Sequence, residues 1–221
     1  MSSLTRKLAA EALGTGLLAA TVIGSGIMAQ RLTADAALIL LCNATATGAM
    51  LAVLIASLGP ISGGHFNPVV TAVLAYRRDL KWPVAAFYIG VQLIGAVVGA
   101  ELAHLMFAAP LLELSTTPRT GPGQWLSEAI ASFALLSAIL AGQRFRPTAL
   151  PALVALTIVG GYWFTASTSF ANPALTIARA LTDSFSGIRP ADAPGYILGQ
   201  VVGSGLAALL WRWLLSAPRE A

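Results

Sequence analysis

Long runs of Ala, Leu, Val, Ile and Gly, separated by short polar breaks, fill almost the whole chain. Six of them, at 8–30, 36–58, 82–108, 124–143, 149–168 and 193–216, reach the length of ~20 residues that a helix needs to cross a ~30 Å hydrocarbon core. Two shorter apolar pieces, 67–76 and 172–182, each follow a Gly/Ser-rich loop and open on Asn-Pro. At ~1.5 Å rise per residue neither piece can span a bilayer. Asn is a preferred N-cap, and Pro at the first helical position gives up only an N–H that would lack a helical partner anyway. The pattern therefore predicts an all-α membrane protein with six transmembrane helices and two re-entrant half-helices that begin inside the membrane.

Composition agrees: 57% of the 221 residues are hydrophobic, 10% are charged and the mean hydropathy is +0.77. Six spans leave only short connections, so a single transmembrane domain over 1–221 is expected, with no separate soluble domain. The first run follows Arg6 and Lys7 and is too long for a signal-peptide core, so it is expected to be retained. Cys42 is the single cysteine and has no intrachain disulfide partner.

Charge distribution orients the chain. Cytoplasmic loops hold the excess of Lys and Arg. With both termini inside, nine basic residues (Arg6, Lys7, Arg77, Arg78, Lys81, Arg144, Arg146, Arg212 and Arg219) face the cytoplasm and four (Arg31, Arg119, Arg179 and Arg189) face outward. This holds only if the segment around Asn67 returns to the cytoplasmic face and the segment around Asn172 enters from outside. In this setting the net charge of +4 records topology, and no nucleic-acid partner is indicated.

An internal repeat supports that topology. LAAEALGTGLL near the start resembles WLSEAIASFALL at 125–136, pairing Glu11 with Glu128. HFNPVVT at 65–71 resembles FANPALT at 170–176, pairing Asn67 with Asn172; YIGVQLIG at 88–95 resembles YILGQVVG at 196–203, pairing Gln92 with Gln200. The two copies, approximately 1–110 and 120–221, each carry three spans, an odd number, so they lie in opposite orientations. Inverted repeats with broken helices that meet at the midplane build transporters and channels.

Two half-helices that meet at the bilayer centre direct about +0.5 elementary charge each toward it, which repels cations. Asn67 and Asn172 can each offer an amide hydrogen to a passing water or hydroxyl, turning its own hydrogens away from its neighbours and breaking a proton wire. The backbone before them, at Gly63, Gly64, His65 and Phe66 and at Thr168, Ser169, Phe170 and Ala171, is expected to present carbonyls to a wet path.

SGGHFNPVVT, SFANPALT, AEALGT and YIGVQLIG resemble the signatures of the major intrinsic protein family, the aquaporins and aquaglyceroporins, over nearly the whole chain. The resemblance implies a pore in each subunit, a homotetramer in the bilayer, passive flow of water or small neutral solutes, no cofactor, no metal and no enzymatic activity. Glu11 and Glu128 would then accept hydrogen bonds from the signature loops. The chain departs from the family where an arginine usually follows the second Asn-Pro-Ala: Leu175 stands there. Counting back from the signatures places Thr47, Gly160 and Ser169 with Leu175 in a wide outer filter, a shift of one residue at Gly160 bringing only another glycine, Gly161; an aromatic ring from Tyr162, Trp163 or Phe164 swinging in is the open alternative. Arg179, one turn beyond Leu175, is read either as the guard of an outer vestibule or as an exposed helix-end cation.

Glu101 and His104 are expected to reach the outer interface, Cys42 to pack within its helix, and Gly95/Gly99 and Gly199/Gly203 to allow close helix crossings. The segment YWFTASTSFANPA together with LTIARALTDSFSGIRPADAPG resembles a bacterial branch of the family linked to arsenic resistance. The expected function is a channel in the inner (plasma) membrane of a bacterium for arsenous acid, related metalloid hydroxides, glycerol-like solutes and water. A strict water channel is the first alternative. An ion-coupled transporter is the second, and it requires one of Glu11, Glu128, Glu101 or His104 to face the pathway.

Overall fold

The computed structural model describes residues 3–216; Arg219, counted above among the cytoplasmic charges, lies outside them. All regular structure in that range is helical: α1 (Leu4–Leu32), α2 (Ala36–Ser62), α3 (Pro68–Tyr76), α4 (Trp82–Phe107), α5 (Pro122–Phe145), α6 (Leu150–Phe164), α7 (Pro173–Arg179) and α8 (Ala193–Leu214). Single 3₁₀ turns at Pro147–Ala149 and Pro190–Asp192 lead into α6 and α8. Six helices are long and apolar enough to cross a membrane, α6 only together with its leading turn. The short α3 and α7 are the two half-helices.

Boundaries differ from expectation where local hydrogen bonding decides them. α2 continues past 58 through Pro60 to Ser62, where Gly63 ends it with φ of 102° and donates its N–H to the Gly59 carbonyl at 2.8 Å. α6 stops at Phe164 instead of 168, because Thr165 turns extended while its N–H and its hydroxyl both return to the Gly161 carbonyl.

Glycine sets the closest crossings. α1 packs on α4 and α5 on α8. A Cβ on Gly99 would overlap the Gly16 carbonyl, and one on Gly203 would overlap the Ala129 carbonyl. Gly95 and Gly199 meet Ala12 and Trp125 in the same way. In a membrane, where lipid tails are as apolar as the side chains, such backbone approach supplies dispersion contact that larger residues would prevent.

The loops that precede α3 and α7 are held by buried carboxylates. Glu11 is fully buried in α1, and its oxygens accept the His65 N–H at 3.0 Å, the Phe66 N–H at 2.8 Å, the Ser62 hydroxyl at 2.6 Å and the Gln92 amide at 2.8 Å. Glu128, equally buried in α5, accepts the Phe170 and Ala171 N–H groups at 2.9 Å each and the Gln200 amide at 2.6 Å. Gln92 also donates to Thr71 and Gln200 to Thr176, both at 2.9 Å, tying each carboxylate to its half-helix. Phe66 and Ala171 have φ of 48° and 47°, a left-handed conformation that costs a non-glycine residue ~1–2 kcal/mol. In both loops the residue so constrained gives its N–H to the carboxylate, which holds it there.

Glu128→Gln replaces an acceptor oxygen by an amide donor facing these N–H groups and should destabilise the fold by roughly 1–3 kcal/mol, read as a lower melting temperature in detergent. Gly99→Val and Gly203→Val should each cost roughly 1–3 kcal/mol or more by overpacking, whereas Gly90→Ala, where a Cβ meets nothing within 4 Å, should leave the melting temperature unchanged or slightly higher.

Candidate functional site

Asn67 and Asn172 cap the two half-helices and join them. Asn67 Oδ1 accepts from the Val69 N–H at 3.1 Å, and Asn172 Oδ1 accepts from Ala174 and Leu175 at 3.0 and 3.3 Å. Each amide nitrogen then donates across the pseudo-twofold, Asn67 Nδ2 to the Ala171 carbonyl at 2.7 Å and Asn172 Nδ2 to the Phe66 carbonyl at 2.8 Å. An amide has two hydrogens, so one remains on each Asn for the lumen beside it. The α3 and α7 N-termini therefore meet at one point, with both dipoles directed at the channel.

A narrow channel with room for water of about 60 Å³ passes this point. At ~10–15 Å³ for each water, that is room for roughly five. The loop residues Gly63, Gly64, His65 and Phe66 and Ser169, Phe170 and Ala171 contribute to its lining. Aliphatic side chains, among them Ile55, Val70, Leu135, Ile139 and Val154, make up much of the rest. Thr168 is not part of the wall: its N–H bonds the Thr165 carbonyl at 3.2 Å and φ of 61° turns it aside.

The outer constriction differs from the expected set in two respects. Thr47, Ser169 and Leu175 line it, but Gly160 is exposed on the far side of α6 and a Cβ there would meet nothing within 4 Å. The helical period places Ile158 and Tyr162 on the channel side, and Gly160, two residues from each, roughly 200° away. Gly161 also looks inward, where a Cβ would collide with Ser169 Oγ. The ring on the channel side is Tyr162, whose hydroxyl lies within hydrogen-bond distance of Thr47 Oγ1, at 3.2 Å. Trp163 and Phe164 are exposed.

Arg179 is the second difference. It is 2% exposed and lines the channel, so it is not an exposed helix-end cation. Its guanidinium sits 3.3 Å from the centroid of the Phe170 ring, and Nε donates to the Ser186 carbonyl. Arg119 lies 5.3 Å from the same ring and holds the same loop through the Gly187 carbonyl at 2.7 Å and the Phe185 carbonyl at 3.0 Å. Ser186 in turn donates to the Val22 carbonyl of α1 at 2.8 Å. A buried cation is thus placed on an aromatic face and fixed by a carbonyl, the two interactions that stabilise guanidinium away from water.

The titratable residues named for a coupled transporter do not face the path. Among the described residues no carboxylate lines the channel: Glu11 and Glu128 lie behind the loops, and Glu101 accepts the Leu112 N–H at 3.0 Å. His104 is buried at 1% exposure and does not reach the interface as expected. Cys42 faces outward from α2, neither packed inside nor near the lumen. Among the described residues no group of three or more His, Cys, Asp and Glu is placed to hold a metal ion.

Residues 1–165 match the Major intrinsic protein family. The chain is 56% identical to Aquaglyceroporin AqpS of Rhizobium meliloti, over 98% of this chain and 93% of that protein. It is 34% identical to Aquaporin-5 of Homo sapiens, over 78% of this chain and 68% of that protein. The X-ray structure of the aquaglyceroporin from Plasmodium falciparum has the same fold, with a TM-score of 0.76 at 22% identity over 95% of this chain and 96% of that one. Six membrane-length helices, two capped half-helices joined at Asn67 and Asn172 and a narrow lumen beside them agree with these likenesses: the chain belongs to the major intrinsic protein family, the aquaporins and aquaglyceroporins, and is a membrane channel for small uncharged solutes.

Proposed function

We propose that the protein conducts small neutral polyhydroxy molecules, of which glycerol and arsenous acid are the type, together with water. The observation that carries this reading is the mixed lining of the channel: the two signature loops with Asn67 and Asn172, together with aliphatic side chains such as Ile55, Val70, Leu135, Ile139 and Val154. A solute with hydroxyls along one edge and an apolar or weakly hydrated opposite edge exchanges its water for those partners as it passes. The central constriction is Asn67 with Asn172, and the outer one is Thr47, Tyr162, Ser169, Leu175 and Arg179. The relative named an aquaglyceroporin supports the same class of solute.

In this reading Arg179 takes over the cation-excluding role from one helical turn further out. Leu175 leaves the position beside the half-helix apolar, while the guanidinium about 6 Å away still opposes cations. The inverted halves act as one channel unit, both termini are cytoplasmic in a bacterial inner membrane, and four copies assemble around their own separate pores.

Stopped-flow light scattering on proteoliposomes tests the reading. Sucrose should shrink the vesicles rapidly, and glycerol or arsenous acid should allow re-swelling; water flux without solute flux would overturn it. Leu175→Arg should suppress the larger solutes on the order of tenfold while sparing water, and equal loss of every flux in a folded variant would contradict the assignment of the outer constriction. Arg179→Ala should admit small cations, read as an ionic conductance absent from the parent protein.

A further inference from the structure

On the outer surface of the helix bundle, α3, the start of α4 and α8 leave a groove of ≈ 390 Å³, away from the channel. Val69, Val73 and Val201 form its deep end, and Tyr76, Trp82 and Leu209 its mouth. Its floor is built from small residues, and a Cβ on Gly205 would meet nothing within 4 Å. From Val201 to Leu209 the groove follows α8 for about 12 Å, most of the ~15 Å depth of one hydrocarbon leaflet.

The mouth is basic. Arg212 donates Nη1 to the Tyr76 hydroxyl at 3.2 Å, which brings the end of α8 to the α3–α4 turn. That turn carries Arg77, Arg78 and Lys81. Arg77 is neutralised by Asp79 at 3.0 Å, whereas among the described residues Arg78, Lys81 and Arg212 have no acidic partner and all three are exposed. Trp82 is 57% exposed at the same level, where an aromatic ring anchors at the membrane interface.

We propose that this groove is a binding site for an anionic phospholipid, with one acyl chain lying between α3 and α8 and the phosphate held by Arg78, Lys81 and Arg212. An apolar slot that ends in three unneutralised cations matches an acyl chain ending in an anionic headgroup, and basic pockets between transmembrane helices select such lipids. A second copy docked by the same face would bring the same three cations together without an acidic complement. The lipid belongs to the leaflet on the α3–α4 side of the protein.

The test uses the full chain in mild detergent, titrated with phosphatidylglycerol and with phosphatidylcholine of identical acyl chains, and reads lipid retention by native mass spectrometry alongside the melting temperature. Phosphatidylglycerol should be retained preferentially and should raise the melting temperature more. The surface variant R78Q/K81Q/R212Q should lose at least about tenfold in phosphatidylglycerol affinity, each cation contributing roughly fivefold, and should no longer distinguish the two lipids. Gly205→Leu, which fills the slot, should lose retention of both. Equal binding of the two lipids by the parent protein, or undiminished phosphatidylglycerol binding by the charge variant, overturns the proposal. A change of assembly state with Gly205→Leu in place of lost lipid also overturns it, by making the groove a contact between copies.

Discussion

Two carboxylates placed where water is absent hold this molecule together. A charge-bearing group in a membrane interior is costly unless its hydrogen-bonding capacity is filled, and Glu11 and Glu128 are filled by the backbone and side chains of the two irregular loops. The dependence runs both ways. The loops place Phe66 and Ala171 in left-handed conformations and leave several N–H groups without helical partners, and it takes a group with two acceptor oxygens at that depth to satisfy them together. From this follow the position of the half-helices and the cross-bonding of Asn67 and Asn172 to the two loops.

The outer end of the channel is built on a second principle, an arginine held between an aromatic face and a main-chain oxygen. Phe170 belongs to the loop anchored by Glu128, so the carboxylate network and the arginine share a residue. Arg119 closes the arrangement from the connection before α5, binding the same outer loop at Phe185 and Gly187. The constriction is therefore the joint product of elements far apart in the chain. Thr47, Ser169, Tyr162 and Leu175 all contribute to the lining of the channel.

Much of this was legible in the chain itself. The spans, both half-helices, their Asn-Pro starts and the pairing of Glu11 with Glu128 all follow from length, capping chemistry and an internal repeat, because each depends on local pattern. The constriction was legible only in part. Counting residues back from Asn172 selected Gly160, but α6 ends early at Thr165 and its phase brings Tyr162 inward. The signal that could have separated them was helical periodicity, since 158 and 162 share a face that excludes 160. Arg179 was placed on the correct helix, but its burial depends on Phe170, Ser186 and Arg119, partners contributed by loops whose course no local pattern encodes. His104 illustrates the same limit: a polar residue near a helix end was read by depth alone, and packing buried it.

The position of the two glutamates behind the loops, off the channel wall, has a consequence for the direction of transport. A pump or symporter needs a carboxylate or similar group that alternates between compartments and carries a memory of its last partner. Among the described residues the wall of this channel holds no acid to play that part, and in a passive channel the forward and reverse journeys of a solute cross the same barriers. Whether such a protein serves uptake or release is then decided outside the membrane, by whichever reaction consumes the solute on one side or produces it on the other.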